Sequence, residues 1–286
     1  MNLHIRPMTE QDFPFAEQLR AVAGWNQTES DWKRYLLCQP DGCFLAEWAG
    51  LPAATLTTTC FPPDLAWIGM VLVHPEFRRR GIARALMVRA LEFLDQKGIG
   101  CVKLDATPMG KPLYEQLGFR DEWKLRRWKA DVWGLPAMES AAVELRAPGE
   151  EDWPALLHLD GTAFGSRREL LLKILAQQSD RVRVSYGVDG RALGYGMIRK
   201  GMVAAYLGPL VTSHPESLPV LVSSLAADCR GRPLFWDIPD AQAEAAALAA
   251  AGGMKPVRDL VRMFRPVNPA PGVPGMICGI ADPATG

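Results

Sequence analysis

Apolar and polar positions change their spacing repeatedly along this chain, and each change marks an element. Residues 3–6 alternate as a short strand. Thr9, with Asp12 three residues on, opens a helix whose apolar side is Phe13, Ala16, Leu19 and Ala23. A second helical stretch covers 30–37. The runs 44–48 and 53–59 then form a hairpin through Ala49-Gly50-Leu51-Pro52. Residues 67–73 are the next strand. Helical spacing resumes over 82–96 (Ile82, Ala85, Leu86, Val88, Leu91, Phe93) and stops at Gly98. A strand at 101–106, a short helix at 111–117 ended by Gly118, and a charge-alternating strand at 122–130 complete the unit. The pattern predicts a mixed α/β domain, an α+β sheet with flanking helices.

The pattern occurs twice. At an offset of 140 residues, Ile5-Arg6-Pro7 through Asp12-Phe13-Pro14 aligns with Leu145-Arg146-Ala147 through Asp152-Trp153-Pro154. At the same offset Gly50 meets Gly190, Val71 meets Val211, and His74-Pro75-Glu76 meets His214-Pro215-Glu216. A tandem duplication is expected, with a first domain over 1–135, a break at Gly134-Leu135-Pro136, and a second domain over 141–265. From Pro266 the chain turns Pro- and Gly-rich, so 266–286 is expected to be a linker or extended arm that sustains neither ladder nor helix.

Composition narrows the function. Of 286 residues, 48% are hydrophobic and 22% charged, with 32 basic and 32 acidic side chains. The balance holds in each half, which argues against a nucleic-acid or membrane-surface partner, while leaving room for one small anion pocket. No apolar run reaches membrane-spanning length, and the start has no cationic head followed by an apolar stretch, so a cytoplasmic protein is expected. The six cysteines form no Cys-x-x-Cys pair, so neither a metal site nor a disulfide framework is expected.

The candidate chemistry lies in Val71-Leu72-Val73-His74-Pro75-Glu76-Phe77-Arg78-Arg79-Arg80-Gly81-Ile82-Ala83-Arg84. A strand leads into a basic loop with one glycine at the start of an amphipathic helix. Free N–H groups at a helix start favour an anion, and Gly81 removes the side chain where a phosphate must approach. Arginines at 78, 79, 80 and 84 add charge, so a pyrophosphate is the expected ligand. His74, ahead of Pro75, suits a turn.

This stretch resembles the signature of the GCN5-related N-acetyltransferase (GNAT) family, Arg/Gln-x-x-Gly-x-Gly/Ala after a strand. Leu113-Tyr114-Glu115-Gln116-Leu117-Gly118-Phe119 downstream supports the likeness, which covers roughly residues 3–130. The resemblance implies acetyl-CoA as co-substrate. It implies that the amides of Arg79, Arg80, Gly81, Ile82, Ala83 and Arg84 hold the pyrophosphate behind Arg78, and that Val71 and Val73 pair with the pantetheine arm. The amide near Leu72 would polarise the thioester carbonyl, and Tyr114 would serve the leaving thiolate as acid or hydrogen-bond donor. Thr107 stands where many members have Asn. Many members also carry a Glu on the strand before the signature, but Ala66-Trp67-Ile68-Gly69-Met70 offers no carboxylate. Asp105, on the adjoining strand, is the fallback base.

At the constant offset, Leu218-Pro219-Val220-Leu221-Val222-Ser223 faces residues 78–83, without the arginines or the glycine. The second copy is therefore expected to be degenerate and to pack on the first. Its cluster of Asp160, Phe164, Arg167 and Arg168 offers either a substrate contact or a capped connection between helices. The expectation is an acyltransferase moving acetyl from acetyl-CoA to a small-molecule primary amine, with an acetyl-CoA or CoA sensor or scaffold as the alternative.

Overall fold

A computed structural model of the chain describes residues 2–61, 64–229 and 231–286. The first half runs β1 (Leu3–Pro7), α1 (Phe13–Ala23), α2 (Glu29–Cys38), β2 (Phe44–Trp48), β3 (Leu51–Phe61), β4 (Leu65–Val73), α3 (Ile82–Gln96), β5 (Cys101–Ala106), α4 (Lys111–Gln116) and β6 (Arg120–Ala130). The second repeats the order as β7 (Val143–Arg146), α5 (Trp153–Phe164), α6 (Glu169–Gln178), β8 (Ser179–Gly187), β9 (Ala192–Arg199), β10 (Ala205–Thr212), α7 (Ser217–Leu225), β11 (Leu234–Pro239), α8 (Ala243–Ala251) and β12 (Lys255–Pro266), with β13 (Ile277–Gly279) beyond.

The duplication is visible in side chains as well as elements. Asp12 accepts from Arg6 at 2.7 and 2.8 Å and from the Thr9 amide at 2.8 Å, which fixes the turn into α1. Asp152 accepts from Arg146 at 2.6 and 2.7 Å and from the Gly149 amide at 2.7 Å before α5.

All strands join one thirteen-stranded sheet, in the order β1-β2-β3-β4-β5-β12-β6-β11-β10-β9-β8-β7, with β13 paired to β10. The order is not two sheets side by side. The last strand of each half sits in the other half: β12 lies between β5 and β6, and β6 pairs with β11. The two seams carry reciprocal buried ion pairs. Arg262 of β12 forks onto Asp105 at 2.9 and 3.0 Å, and Arg127 of β6 forks onto Asp237 at 2.8 and 2.6 Å.

Helices cover both faces. α3 packs with Leu56, Ile68, Leu104 and Met263, while α7 and α8 pack with Leu210 and Trp236. The strand registers place these residues on one face. On the other, α1 and α2 cover Leu45, Met70 and Leu72, and α5 and α6 cover Trp67, Leu125 and Leu260.

Two sequence expectations are corrected here, and one open alternative is decided. The constant offset fails after β10. Residues 74–81 separate β4 from α3, but only 213–216 separate β10 from α7. The stretch 218–223 is thus helix rather than a counterpart of the Arg loop. The second copy has lost the loop by shortening, not by substitution. β10 runs through Gly208-Pro209 with a register shift against β9 between Leu207 and Leu210. The 266–286 arm is not free of ladder, because β13 pairs Leu210 with Gly279 and Val211 with Ile277, and 281–286 are almost wholly buried. Of the two readings of the polar cluster in the second copy, the structural one fits Asp160 and Arg168. Arg168 forks onto Asp160 at 2.8 Å on both arms, both fully enclosed.

Candidate functional site

β4 and β5 are parallel and pair only from Leu65–Cys101 to Trp67–Lys103. Beyond that they part, leaving β4 from Ile68 to Val73 bonded to β3 alone. A crevice at the carboxyl ends of parallel strands is the general ligand position in open α/β sheets. Within the unpaired part, β4 carries an extra residue. Thr55 of β3 faces Leu72, yet Thr57 faces Gly69. Met70 in the bulge has φ 49°, and its carbonyl accepts from Thr55 Oγ1 at 2.9 Å. A non-glycine residue held there stores strain and turns the neighbouring amides off the ladder.

β4 leads into a turn at Pro75–Phe77 and then the arginine loop. Arg79 (φ 59°) and Gly81 (φ 78°) are both left-handed, and Gly81 caps α3 with its carbonyl accepting from Ala85 at 3.0 Å. Left-handed residues interleaved in such a loop turn successive N–H groups to one side, a concave anion site backed by the α3 dipole. The arginine side chains are exposed. Arg78 Nε donates to the Val73 carbonyl at 3.3 Å, and Arg80 stacks on Trp48 and Phe77 at 5.2 and 5.7 Å. Arg84 reaches Gln116 of α4 at 3.1 Å, tying the loop helix to the helix that bears Tyr114.

Tyr114 is buried beside Gly110, where a β-carbon would come within 2.9 Å of its ring, and packs edge-on to Phe119. Burial pushes its phenol up to about 12, so it stays a proton donor at physiological pH. Thr107, just after β5, accepts from the Gly110 amide at 3.2 Å in the turn that leads into α4. Thus Val71, Leu72 and Val73, residues 78–84, Thr107 and Tyr114 border the ends of β4 and β5 where these strands part.

Asp105 does not fit the role of base. Its carboxylate is fully enclosed and forked onto Arg262, whose guanidinium lies between the Trp67 and Trp123 rings at 4.4 and 4.0 Å. Burial pushes Asp105 up, against the pull of Arg262. His74 sits against Phe15 and Phe77, consistent with a turn residue. Among the described residues, no group of three or more His, Cys, Asp or Glu is placed to hold a metal, and the six cysteines are free. No helix of the described residues is long and apolar enough to cross a membrane.

Sequence reasoning missed Met70 and the segment after β12. The bulge follows from a register mismatch between two strands, which no local pattern encodes. β10 and β11 repeat the parting, pairing only at Ala205–Leu234 to Leu207–Trp236. There β13 enters the gap: Trp236 Nε1 donates to the Cys278 carbonyl at 3.0 Å, and just beyond it the Ile280 amide donates to the Asp237 backbone carbonyl at 3.3 Å. The opening kept in the first half is closed in the second by the chain itself.

The architecture is a pair of like α/β units, one with an open parallel-strand crevice and anion loop, the other closed. The model described as "Acetyltransferase (GNAT) family" matches residues 6–119, and "Acetyltransferase (GNAT) domain" matches 156–277. The chain is a tandem member of the GNAT family. It is 29% identical over 175 residues to YitH of Bacillus subtilis, an uncharacterized N-acetyltransferase, and that match covers 61% of each chain. The match thus spans somewhat less than two thirds of that relative's length. A proposed acetyltransferase from Pyrococcus horikoshii superposes with TM-score 0.84 at 23% identity, covering 100% of this chain and 96% of its own. A tandem GNAT protein from the clavulanic acid biosynthesis pathway gives 0.68 at 16%, covering 93% and 100%. These structural likenesses establish the shared fold.

Proposed function

We propose that the chain transfers an acetyl group from acetyl-CoA to a primary amine by direct attack in a ternary complex, at one site in the first half. The observation that carries this reading is the loop with left-handed Arg79 and Gly81 at the end of β4, set where β4 and β5 part. Amides of residues 79–84, with Arg78 beside them, would hold the pyrophosphate. Val71 and Val73 would pair with the pantetheine arm. Thr107, in the turn before the helix that carries Tyr114, would line the same crevice.

In the reaction, the neutral amine attacks the thioester carbonyl carbon, a C–N bond forms and the C–S bond breaks. An amide near Leu72, beside the bulge at Met70, would offer a donor for the charge developing on the carbonyl oxygen. Tyr114 gives its proton to the departing thiolate. The nitrogen releases its surplus proton to water, which restores the phenol. With Asp105 committed to Arg262 and no carboxylate on β4, the amine must arrive neutral. The free thiols suit a reducing, cytoplasmic setting.

Isothermal titration should find one acetyl-CoA per chain, abolished by Gly81→Glu; two equal sites would overturn the assignment to one half. The second reading, an acetyl-CoA sensor without turnover, is favoured by the absence of a strand carboxylate. Release of CoA thiol with any amine rejects it.

A further inference from the structure

Residues 280–286 lie on the face of the sheet opposite α3, over the unpaired part of β4. A β-carbon on Gly69 would come within 2.5 Å of Ala284 Cα, and Ala284 packs in one cluster with Met70, Leu72 and Tyr35. Trp67 Nε1 donates to the Pro283 carbonyl at 3.1 Å, and Gly286 is pressed between Trp67 and Phe164. An amine approaching a thioester at the Met70 bulge from this side meets these residues first. A separate cavity of about 10 Å³, room for about one water, lies beside Asp282 and is lined by Asn26, Asp31, Arg127, Arg199 and Tyr206.

What anchors the segment is polar and comes from both halves. Asp282 accepts from Arg34 of α2 at 3.0 Å and lies 3.5 Å from Arg199 of β9, and Arg168 donates to the Gly286 carbonyl. Arg34 and Arg199 are both buried; Arg34 also pairs with Asp31 at 2.5 Å, and Arg199 donates to the Gly208 and Ala281 carbonyls, so Asp282 is one of two carboxylates held by this arginine pair. The fit is incomplete. The hydroxyls of Tyr35, Thr57, Thr59 and Thr285 are buried without a hydrogen-bond partner. Thr57 and Thr59 face Gly69 and Trp67, two of the β4 residues that touch the segment. Each such hydroxyl is desolvated with nothing to offset it, which marks an occupant that another ligand can replace.

We propose that residues 280–286 are an internal occupant of the acceptor side, and that the acceptor is an amine bearing a carboxylate, which takes the place of Asp282 on Arg34 and Arg199. A guanidinium pair matches a carboxylate geometrically, and it gives a bare amine nothing. The proposal rests on the acetyl-transfer reading for its substrate role, but its binding claim is testable without turnover.

Glycine, L-alanine and L-lysine are compared with methylamine, ethylamine and cadaverine, the same amines without the carboxylate, on the full chain with CoA present. Hydrogen exchange should show 280–286 deprotected by the amino acids and not by the amines. Asp282→Asn should deprotect the segment without any ligand while α3 and β3 keep their protection. In thiol release it should lower the KM of the amino acids about tenfold. Arg199→Lys, which keeps the charge but loses the guanidinium, should erase the preference for each amino acid over its amine. Unchanged protection of 280–286 with all three amino acids, or a preference that survives Arg199→Lys, overturns the proposal. If no amine releases thiol, the acetyl-transfer reading fails, and the exchange result still decides the carboxylate pocket.

Discussion

Arg262, on the last strand of the second half, is bound in a buried two-pronged ion pair to Asp105 of the first half. Arg127 and Asp237 form the reverse connection. The halves are interlocked through their final strands, so neither sheet is complete without the other. Calorimetry on the whole chain should show one cooperative transition, and residues 1–135 expressed alone should fail to fold. Asp105→Asn should cost about 3–5 kcal/mol by leaving Arg262 buried and uncompensated. The folded fraction of that variant should retain its rate of thiol release, because Asp105 is not the base.

The paired turns into α1 and α5 set an acid limit. Burial works to raise Asp12, but Arg6 and the Thr9 amide hold it below the usual carboxylate range. Asp152 is lowered in the same way, with Tyr186, Gly149 and Arg146 opposing burial. A lowered native pKa means that the unfolded chain takes up protons first as pH falls. Stability should be full above about pH 4 and fall below it. Urea midpoints between pH 3 and 6 should show the slope, and Asp12→Asn should flatten it.

Gly81 separates backbone from sterics. A β-carbon there meets nothing within 4 Å, yet φ is 78°. Gly81→Ala should therefore weaken acetyl-CoA binding about tenfold through left-handed strain alone, roughly 1–2 kcal/mol. Titration calorimetry reads it directly. An unchanged affinity would mean that the loop does not grip the ligand in this conformation.

Tyr114→Phe should lower kcat about 100-fold with the KM for acetyl-CoA nearly unmoved. Because burial raises the phenol to about 12, the wild-type rate should show no loss from Tyr114 near pH 10. The unfolded chain releases that proton first as pH rises, so Tyr114 contributes a loss of stability between about pH 10 and 12.

Burial raises the thiols too, Cys43 and Cys278 to about 12 and Cys101 to about 11. A thiol-reactive dye at pH 8 should label the native chain slowly and all six cysteines after denaturation. Slow labelling keeps the thiol-release assay clean.

The sequence by itself determined whatever depends on short-range pattern. The alternation of strand and helix, the doubled Arg-x5-Asp turn and the glycine-bearing arginine loop rest on residues close in the chain, and each appears where its local chemistry requires. The tertiary structure alone decided what depends on which strands meet. The exchange of β6 and β12, the bulge at Met70, the fate of Asp105 and the insertion of β13 into the second crevice are long-range pairings. A strand's side-chain pattern specifies which face is buried but not which partner lies beside it. That choice falls to the packing of the two halves together.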